Sequence, residues 1–298
     1  MDGSSHAYPS YKFIELSDKD IFEKFCKRYP PYSDFNLLSL LSWDANKTYK
    51  FSILNDNLVL RIKDYLGDRF LYSLLGENLI DQSLTALLKE TNKLSFVPEV
   101  VVNKIQDRNR FVVQEDRDND DYMISLGKII KLEGREYKHL RRDVHHFKKT
   151  YPGYETKLLD LKDRVTKEEV IYITKKWFLD KDFDKKKQED EIAMLYSFME
   201  DSQYFNCANI GLFVEDRLIA YIFNEQLQDK FIISHFGVSD KDFERSSYMM
   251  EYANAQYFFV RDFTYQNMEQ DTGLPGLRAT KVFYNPEYFL KKYTISLK

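Results

Sequence analysis

Between residues 126 and 155, apolar and polar positions alternate at three- and four-residue spacing. Tyr137, Leu140, Val144, Phe147 and Tyr151 form one stripe, the pattern of an amphipathic helix that buries a single face. The same spacing predicts helices over about 11–45, broken at Tyr29-Pro30-Pro31-Tyr32, over 80–92 through Leu84, Leu87 and Leu88, over 166–178 and over 187–200. Elsewhere the period falls to two. FSILNDNLVLRI gives two short runs around Asn55-Asp56-Asn57, a hairpin signal, and RFVVQED reads as a strand. NIGLFVEDRLIAYIFNEQLQDKFIISHFGV holds three apolar runs divided by Glu215-Asp216 and Gln228-Asp229, hence three antiparallel strands. A helix with its apolar face through Tyr248, Tyr252, Ala255 and Phe259 follows. Then come a short strand FTYQNM, a helix opening near Leu274 and a strand FLKKYTIS.

Meander, helix, strand, helix, strand is the succession of the GNAT acyltransferase fold. The first half mixes helices and hairpins as well, so the fold class predicted is α+β with largely antiparallel sheets. A chain of 298 residues exceeds one usual core and leaves room for two. The division expected is 1–125 for an N-terminal domain, 126–155 for a long basic connecting helix and 156–298 for a C-terminal domain carrying the active site.

Charge and composition narrow the function classes. A net charge of -4 excludes a protein coated in positive charge, although local patches still count. No apolar run approaches the twenty or so residues that span a bilayer. The start MDGSSHAYPSYKF has neither the basic opening nor the apolar core of a signal peptide, and Cys26 and Cys207 lack metal-ligand spacing. A cytoplasmic location is expected. The 22 Tyr and 23 Phe read first as core, ahead of a pocket lining. LDKDFDKKKQEDE puts Asp180, Asp182, Asp184 and Glu191 at calcium-loop positions, but Lys185 stands where that loop needs glycine. His145-His146 are adjacent, diverge on a helix and have no third ligand. Neither a metal nor a cofactor is expected.

One stretch looks least like packing material. NMEQDTGLPGLRATKVFYNPEYF gathers two of ten glycines and two of seven prolines with Asn267, Glu269, Asp271, Arg278 and Lys281, where a strand hands over to a helix. Its Asn267, Glu269, Asp271, Gly273, Gly276, Leu277, Arg278, Lys281, Tyr284 and Pro286 resemble the closing motif of the DUF2156 family, related to the C-terminal domain of phosphatidylglycerol lysyltransferase. Asp116, Arg117, Asp118, Asp121 and Tyr122 match upstream, as do Leu132, Gly134, Tyr137, Arg142, Phe147 and Lys148. The chain departs from the pattern at Asp143, where Asn is commoner, and at Phe283, where Ser is common. The resemblance implies two GNAT-like domains in tandem, joined by a helix. It also implies transfer of an aminoacyl group from charged tRNA to a lipid headgroup or another small acceptor, with peripheral contact at the bilayer if the acceptor is a lipid.

Aminoacyl transfer needs a deprotonated acceptor, a stabilised oxyanion and a neutralised leaving oxygen. Asp271 and Glu269 are the candidates for holding the α-ammonium or acting as base. Arg278 and Lys281, three apart on one helix face, are placed to stabilise the oxyanion or a terminal phosphate, and Tyr284 to protonate the leaving oxygen. Asn267, Gly273 and Gly276 complete the substrate-binding set, the glycines by letting backbone approach. An ordinary architecture competes with this: Asp271 capping the helix and Arg278 paired with Glu269. Beside the apolar stripe runs a basic one, Arg135, Lys138, Arg142, His145 and Lys149, suited to phosphates of tRNA or an anionic headgroup and also to plain solvation. CoA-dependent GNAT enzymes place a glycine-rich turn before the next helix. Here SDKDFERSSY has no glycine. An aminoacyl-tRNA-dependent transferase therefore stands ahead of a CoA-dependent N-acyltransferase and of a catalytically inactive binding module.

Overall fold

The computed structural model describes residues 6–44, 46–179 and 184–298. In chain order its first elements are β1 (Lys12–Phe13), α1 (Lys19–Cys26), α2 (Leu37–Trp43), β2 (Lys50–Leu54), β3 (Asn57–Lys63), β4 (Phe70–Leu75), α3 (Ile80–Glu90), β5 (Leu94–Pro98), α4 (Glu99–Val102) and β6 (Phe111–Glu115). There follow β7 (Asp121–Ser125), α5 (Leu126–Lys131), α6 (Lys138–Thr150), β8 (Glu155–Leu158), α7 (Arg164–Phe178) and α8 (Lys185–Asp201). The last are β9 (Ile210–Val214), β10 (Arg217–Gln226), β11 (Phe231–Ser239), α9 (Ser246–Phe259), β12 (Tyr265–Asn267), α10 (Pro275–Phe283), β13 (Tyr288–Leu290) and β14 (Lys292–Leu297). The class is α+β with largely antiparallel sheets, and β11 and β12 pair in parallel. Asp180 and Asp182 of the calcium-like stretch lie outside the described residues, and no described helix is long and apolar enough to cross a membrane.

The chain divides into two compact units that are not consecutive segments. The first takes residues 1–121, 270–278 and 289–298, the second 122–269 and 279–288. The pattern along the chain places everything after 156 in one domain; instead β14 pairs antiparallel with both β5 and β6, so the C-terminal strand completes the first unit. Periodicity reads which face of a strand is apolar and says nothing of which strand it joins.

The first unit holds two antiparallel sheets, β1-β2-β3-β4 and β5-β14-β6. The β2–β3 hairpin turns on Asn55 and Asp56, both at positive φ (52° and 57°), as a two-residue turn of this hand requires. Leu84, Leu87 and Leu88 of α3 pack with Val59, Leu74, Leu94, Val97 and Ile295 in one buried cluster, so α3 covers strands from both sheets.

The second unit is built on a seven-stranded sheet of order β13-β7-β12-β11-β10-β9-β8. β8 to β11 form an antiparallel meander, while β11 and β12 run parallel. One sheet face is covered by α5, α6 and α9 through Ile129, Leu140, Val144, Phe147, Met249, Met250 and Phe258. The apolar stripe Tyr137, Leu140, Val144 and Phe147 is buried as its spacing predicts. On α9 the buried face centres on Met249, Met250, Ala253 and Phe258, and Phe259 is exposed, a rotation of one position from the predicted face.

The long helix expected over 126–155 is two helices, α5 and α6. Leu132 ends α5 in the left-handed conformation (φ 51°), its N–H bonded to the Lys128 carbonyl, and Gly134 follows at φ 85°. A Cβ at Gly134 would collide with the Glu136 carboxylate. This cap interrupts the helix without disturbing the apolar spacing, so the pattern alone reads through it.

Candidate functional site

The residues of the closing motif fall to both units: Asp271, Gly273, Gly276 and Arg278 to the first, Asn267, Glu269, Lys281 and Tyr284 to the second. The backbone that carries them is strained, because Glu269 (φ 57°), Thr272 (φ 52°) and Gly273 (φ 76°) all take left-handed conformations within five residues. For a β-branched residue such as Thr272 this is rare and costs on the order of 1–3 kcal/mol, strain that collects at functional sites.

In the first unit Asp271 is fully buried and both its oxygens are occupied. Arg278 donates to it through Nε and Nη2 at 2.8 Å each, and the Gly273 N–H adds a third bond at 2.8 Å. Arg278 also reaches Asp118 at 2.5 Å, and Arg117 lies 3.9 Å from Asp271 and 4.2 Å over the Phe289 ring. The two aspartates raise the Arg278 pKa further above its already high value. Asp271 is thus built to hold Arg278, a task different from the base first considered for it; the arginine pairs with Asp271 and Asp118 and not with Glu269. Gly273 is required by its positive φ and by Asp118, whose carboxylate would stand 3.0 Å from a Cβ. Gly276 faces open space.

In the second unit the useful geometry lies where the parallel strands separate. β11 and β12 pair only from Phe231–Tyr265 to Ile233–Asn267; β12 then ends while β11 continues to Ser239. At the same level the register between β10 and β11 shifts: Phe223 pairs with Phe236 and Asn224 with Ser234, so His235 is the extra residue of a β-bulge on β11. Into this opening β11 places His235, fully buried against Phe198 of α8. Its Nδ1 lies 3.3 Å from Glu269 Oε1 and its Nε2 3.7 Å from Glu225 Oε2. Burial alone would lower the imidazole pKa; the carboxylates of Glu225 and Glu269 overrule it and raise it from 6.5 to about 9. With both ring nitrogens facing carboxylates, the imidazolium is the state that fits. Two glutamates and one imidazolium leave a net charge of about -1. Sequence reading found Glu269 but neither His235 nor Glu225, which sit among polar neighbours, Ser234 beside His235 and Asn224 and Gln226 beside Glu225.

Asn267 is fully buried, and its Oδ1 accepts the Glu269 N–H at 2.6 Å, so it shapes the turn that presents Glu269. Lys281 is buried 5.9 Å from the Tyr122 ring centre. Tyr284 belongs to the core cluster, and burial, then the nearby Glu251, raises its phenol pKa well above 10. Such a phenol is a poor proton donor. Across the sheet from His235, Glu251 of α9 is buried beside Gln266 with its own pKa raised by burial to about 7.

Of the basic stripe, Lys138, Arg142, His145 and Lys149 lie on one exposed face of α6, whereas Arg135 sits in the turn before it. Arg142 folds onto the buried Asp143 (2.8 and 2.9 Å), which spends part of its charge. Arg135, Lys138, His145 and Lys149 make no ion pair among the described residues.

The loop between β11 and α9 already carries an anion. Asp240, buried, accepts from Lys176 (2.6 and 2.8 Å), from Arg217 (3.0 Å) and from the Asp242 N–H (3.0 Å). The N–H groups of Phe243 and Ser246 bond within the loop, and that of Glu244 to the Tyr151 hydroxyl. Those committed amides are not available to a pyrophosphate.

A further buried cluster escaped the sequence reading. In the first unit Lys292 is wholly buried, its ammonium against Asp34 and 2.7 Å from Asp121, with Ser33 and Gln270 beside it. Burial opposes its charge; the two aspartates outweigh that and raise its pKa. It fastens β14 into the interior.

The comparisons agree with the residues. The family model for the C-terminal region of phosphatidylglycerol lysyltransferase matches residues 27–296, and the chain belongs to that family. A conserved protein of unknown function from Bacteroides thetaiotaomicron VPI-5482 superposes with TM-score 0.82 at 22% identity, covering 97% of this chain and 99% of that one. The C-terminal DUF2156 domain of a protein described as a lysylphosphatidylglycerol synthetase from Agrobacterium fabrum gives 0.64 at 12% identity, over 94% and 91%. L-PGS from Bacillus licheniformis gives 0.62 at 16%, over 96% and 93%. At these identities the likeness is one of fold. No curated protein sequence matches the chain.

Proposed function

We propose that the protein is an aminoacyltransferase of the cytoplasm, moving an aminoacyl group from charged tRNA to a lipid headgroup or another small acceptor, and that each unit is a GNAT-like domain. The observation that carries this reading is the Glu225–His235–Glu269 cluster at the parting of β11 and β12. An aminoacyl ester differs from an acetyl thioester by its α-ammonium, and a water-poor opening with net negative charge suits that cation. Family membership supports acyl or aminoacyl transfer in general, the committed β11–α9 loop disfavours coenzyme A, and the exposed cations of α6 suit tRNA phosphates.

In the reaction the acceptor loses its proton and attacks the ester carbonyl. The tetrahedral intermediate then expels the ribose oxygen, which takes up a proton. The ester is already activated, so the protein chiefly positions and polarises. Glu269, oriented by His235 and Asn267, holds the α-ammonium or receives the acceptor's proton. In the first unit Arg278, fixed by Asp271 and Asp118 through Nε and Nη2, keeps Nη1 for a phosphate. A lipid acceptor would be met at the bilayer surface.

The test is mass spectrometry of lipids and metabolites from cells overexpressing the protein or its Glu269→Gln variant, followed by single-turnover transfer with purified aminoacyl-tRNA. An aminoacylated product that requires Glu269 and disappears on ribonuclease treatment is expected. A product formed from acetyl-CoA and indifferent to ribonuclease would overturn the reading.

A further inference from the structure

A cleft of about 530 Å³ opens in the first unit between the β3–β4 loop, β5 and the segment 116–119. Its size lies within the range of small-molecule sites, about 300–1,000 Å³. Lys93, just before β5, and Ser95, within it, both line the cleft, two apart and so on the same side of the strand. Ser95 is buried, yet its hydroxyl makes no hydrogen bond among the described residues, and the Lys93 ammonium makes no ion pair there. Elsewhere in the lining lies Asp116. Its Oδ2 accepts from the Asn119 amide at 3.0 Å, and its Oδ1 is uncommitted. The remaining charges are spent: Arg69 faces Asp64 at 3.8 Å, and Asp118 holds Arg278. The floor is aromatic, with Tyr65 and Phe96 rings 5.5 Å apart. Phe96 itself sits at φ 55°, a conformation that bulky residues adopt only under constraint.

One unspent carboxylate, one unspent ammonium, an unspent hydroxyl and aromatic walls in one cleft point to a specific ligand chemistry. We propose that this cleft binds a zwitterion, a free amino acid or short peptide with an apolar side chain. The ligand's ammonium is taken by Asp116, its carboxylate by Lys93 with Ser95, and its side chain lies on Tyr65 and Phe96. A polyphosphate is disfavoured by the unspent carboxylate of Asp116, and a bare acyl chain by the charged walls. The inference goes beyond the transfer reading and stands apart from it, because binding is measured without tRNA.

The experiment is titration calorimetry of the full chain with phenylalanine, leucine and alanylphenylalanine, each beside its N-acetyl and C-amide derivative. Inorganic phosphate and glycerol phosphate serve as anionic controls. Saturable binding of the free zwitterions is expected. N-acetylation or Asp116→Asn should weaken it about tenfold or more, the worth of one charge-assisted hydrogen bond. Lys93→Ala, at an exposed position that folding does not need, should weaken the acids and leave the C-amides unchanged. Absence of saturable binding by any zwitterion, or N-acetyl forms binding as well as free amines, would overturn the proposal. So would phosphate binding that Lys93→Ala removes and Asp116→Asn strengthens, which would make the cleft an anion site.

Discussion

Replacing His235 by Gln removes the cation from between Glu225 and Glu269, and the structure sets both the size and the pH window of the effect. The imidazole is raised from 6.5 to about 9, a preference of the folded state for the proton worth about 3 kcal/mol. A histidine raised on folding stabilises in full below its unfolded value; the contribution fades as pH climbs from 6.5 and is lost above about 9. Wild type should therefore exceed His235→Gln by about 3 kcal/mol more near pH 6 than near pH 9.5, or about 1 M in urea midpoint for a domain of this size. Titrating groups remote from Glu225 and Glu269 are common to the two proteins and cancel in the difference. Trp177 of α7 reports on the second unit once Trp43, the other tryptophan, is changed to Phe. A stability gap that stays constant with pH, or widens at high pH, would refute the imidazolium and with it the net charge assigned to the opening.

Glu251→Gln should do the opposite: its carboxyl is raised from 4.5 to about 7, so ionisation costs nothing below pH 4.5 and about 3 kcal/mol above pH 7. Denaturant midpoints should show the variant stabilised near pH 8 and unchanged near pH 4.5. Asp271→Asn weakens the grip on Arg278, and a fall in single-turnover transfer larger than that of Asp118→Asn is expected, with thermal denaturation showing the protein still folded; equal turnover would make Asp271 scaffold. Reversing both Arg142 and Lys149 to Glu should weaken tRNA binding and flatten its dependence on salt by about two phosphate contacts, read by filter binding across a salt series. Acetyl-CoA should give no saturable heat in calorimetry, since the β11–α9 loop is committed to Asp240; micromolar affinity would return the CoA-dependent reading.

Much of the fold was legible because each element carries its own local signal. The meander β9 to β11 announced itself through two turn dipeptides whose second residues are at positive φ in the structure, Asp216 at 58° and Asp229 at 55°. α3, α7 and α8 lie within two residues of their predicted ends. What stayed hidden was pairing at a distance. FLKKYTIS reads as one strand, but the chain breaks it at Lys291 into β13, at the edge of the second unit's sheet, and β14, in the middle of a sheet of the first. The break is tied to Lys292, whose N–H is bonded to Asp120 and whose ammonium meets Asp34 and Asp121. A lysine in an apolar strand looks like a solvent-facing position until its partners, more than 170 residues upstream, are known.

The candidate site shows the same limit from the side of chemistry. The closing motif stood out because glycines, prolines and charges are conspicuous in sequence, and the structure gives that stretch real backbone strain. Yet conspicuous residues are those that build the turn: Asp271 and Gly273 fix the coil, Asn267 braces Glu269, and Tyr284 fills the core. The residues that make the opening electrostatically unusual, His235 and Glu225, lie in the middle of β11 and at the end of β10, where polar neighbours (Ser234; Asn224 and Gln226) make each easily read as one more solvent-facing position. Their meaning depends on a register shift at Phe223/Asn224 and on β12 ending two residues before His235 would have been covered. Neither is a property of any one segment. A sequence search for this kind of site should therefore look for isolated ionisable residues in the strands flanking a parallel pair, and only then at the loop that ends it.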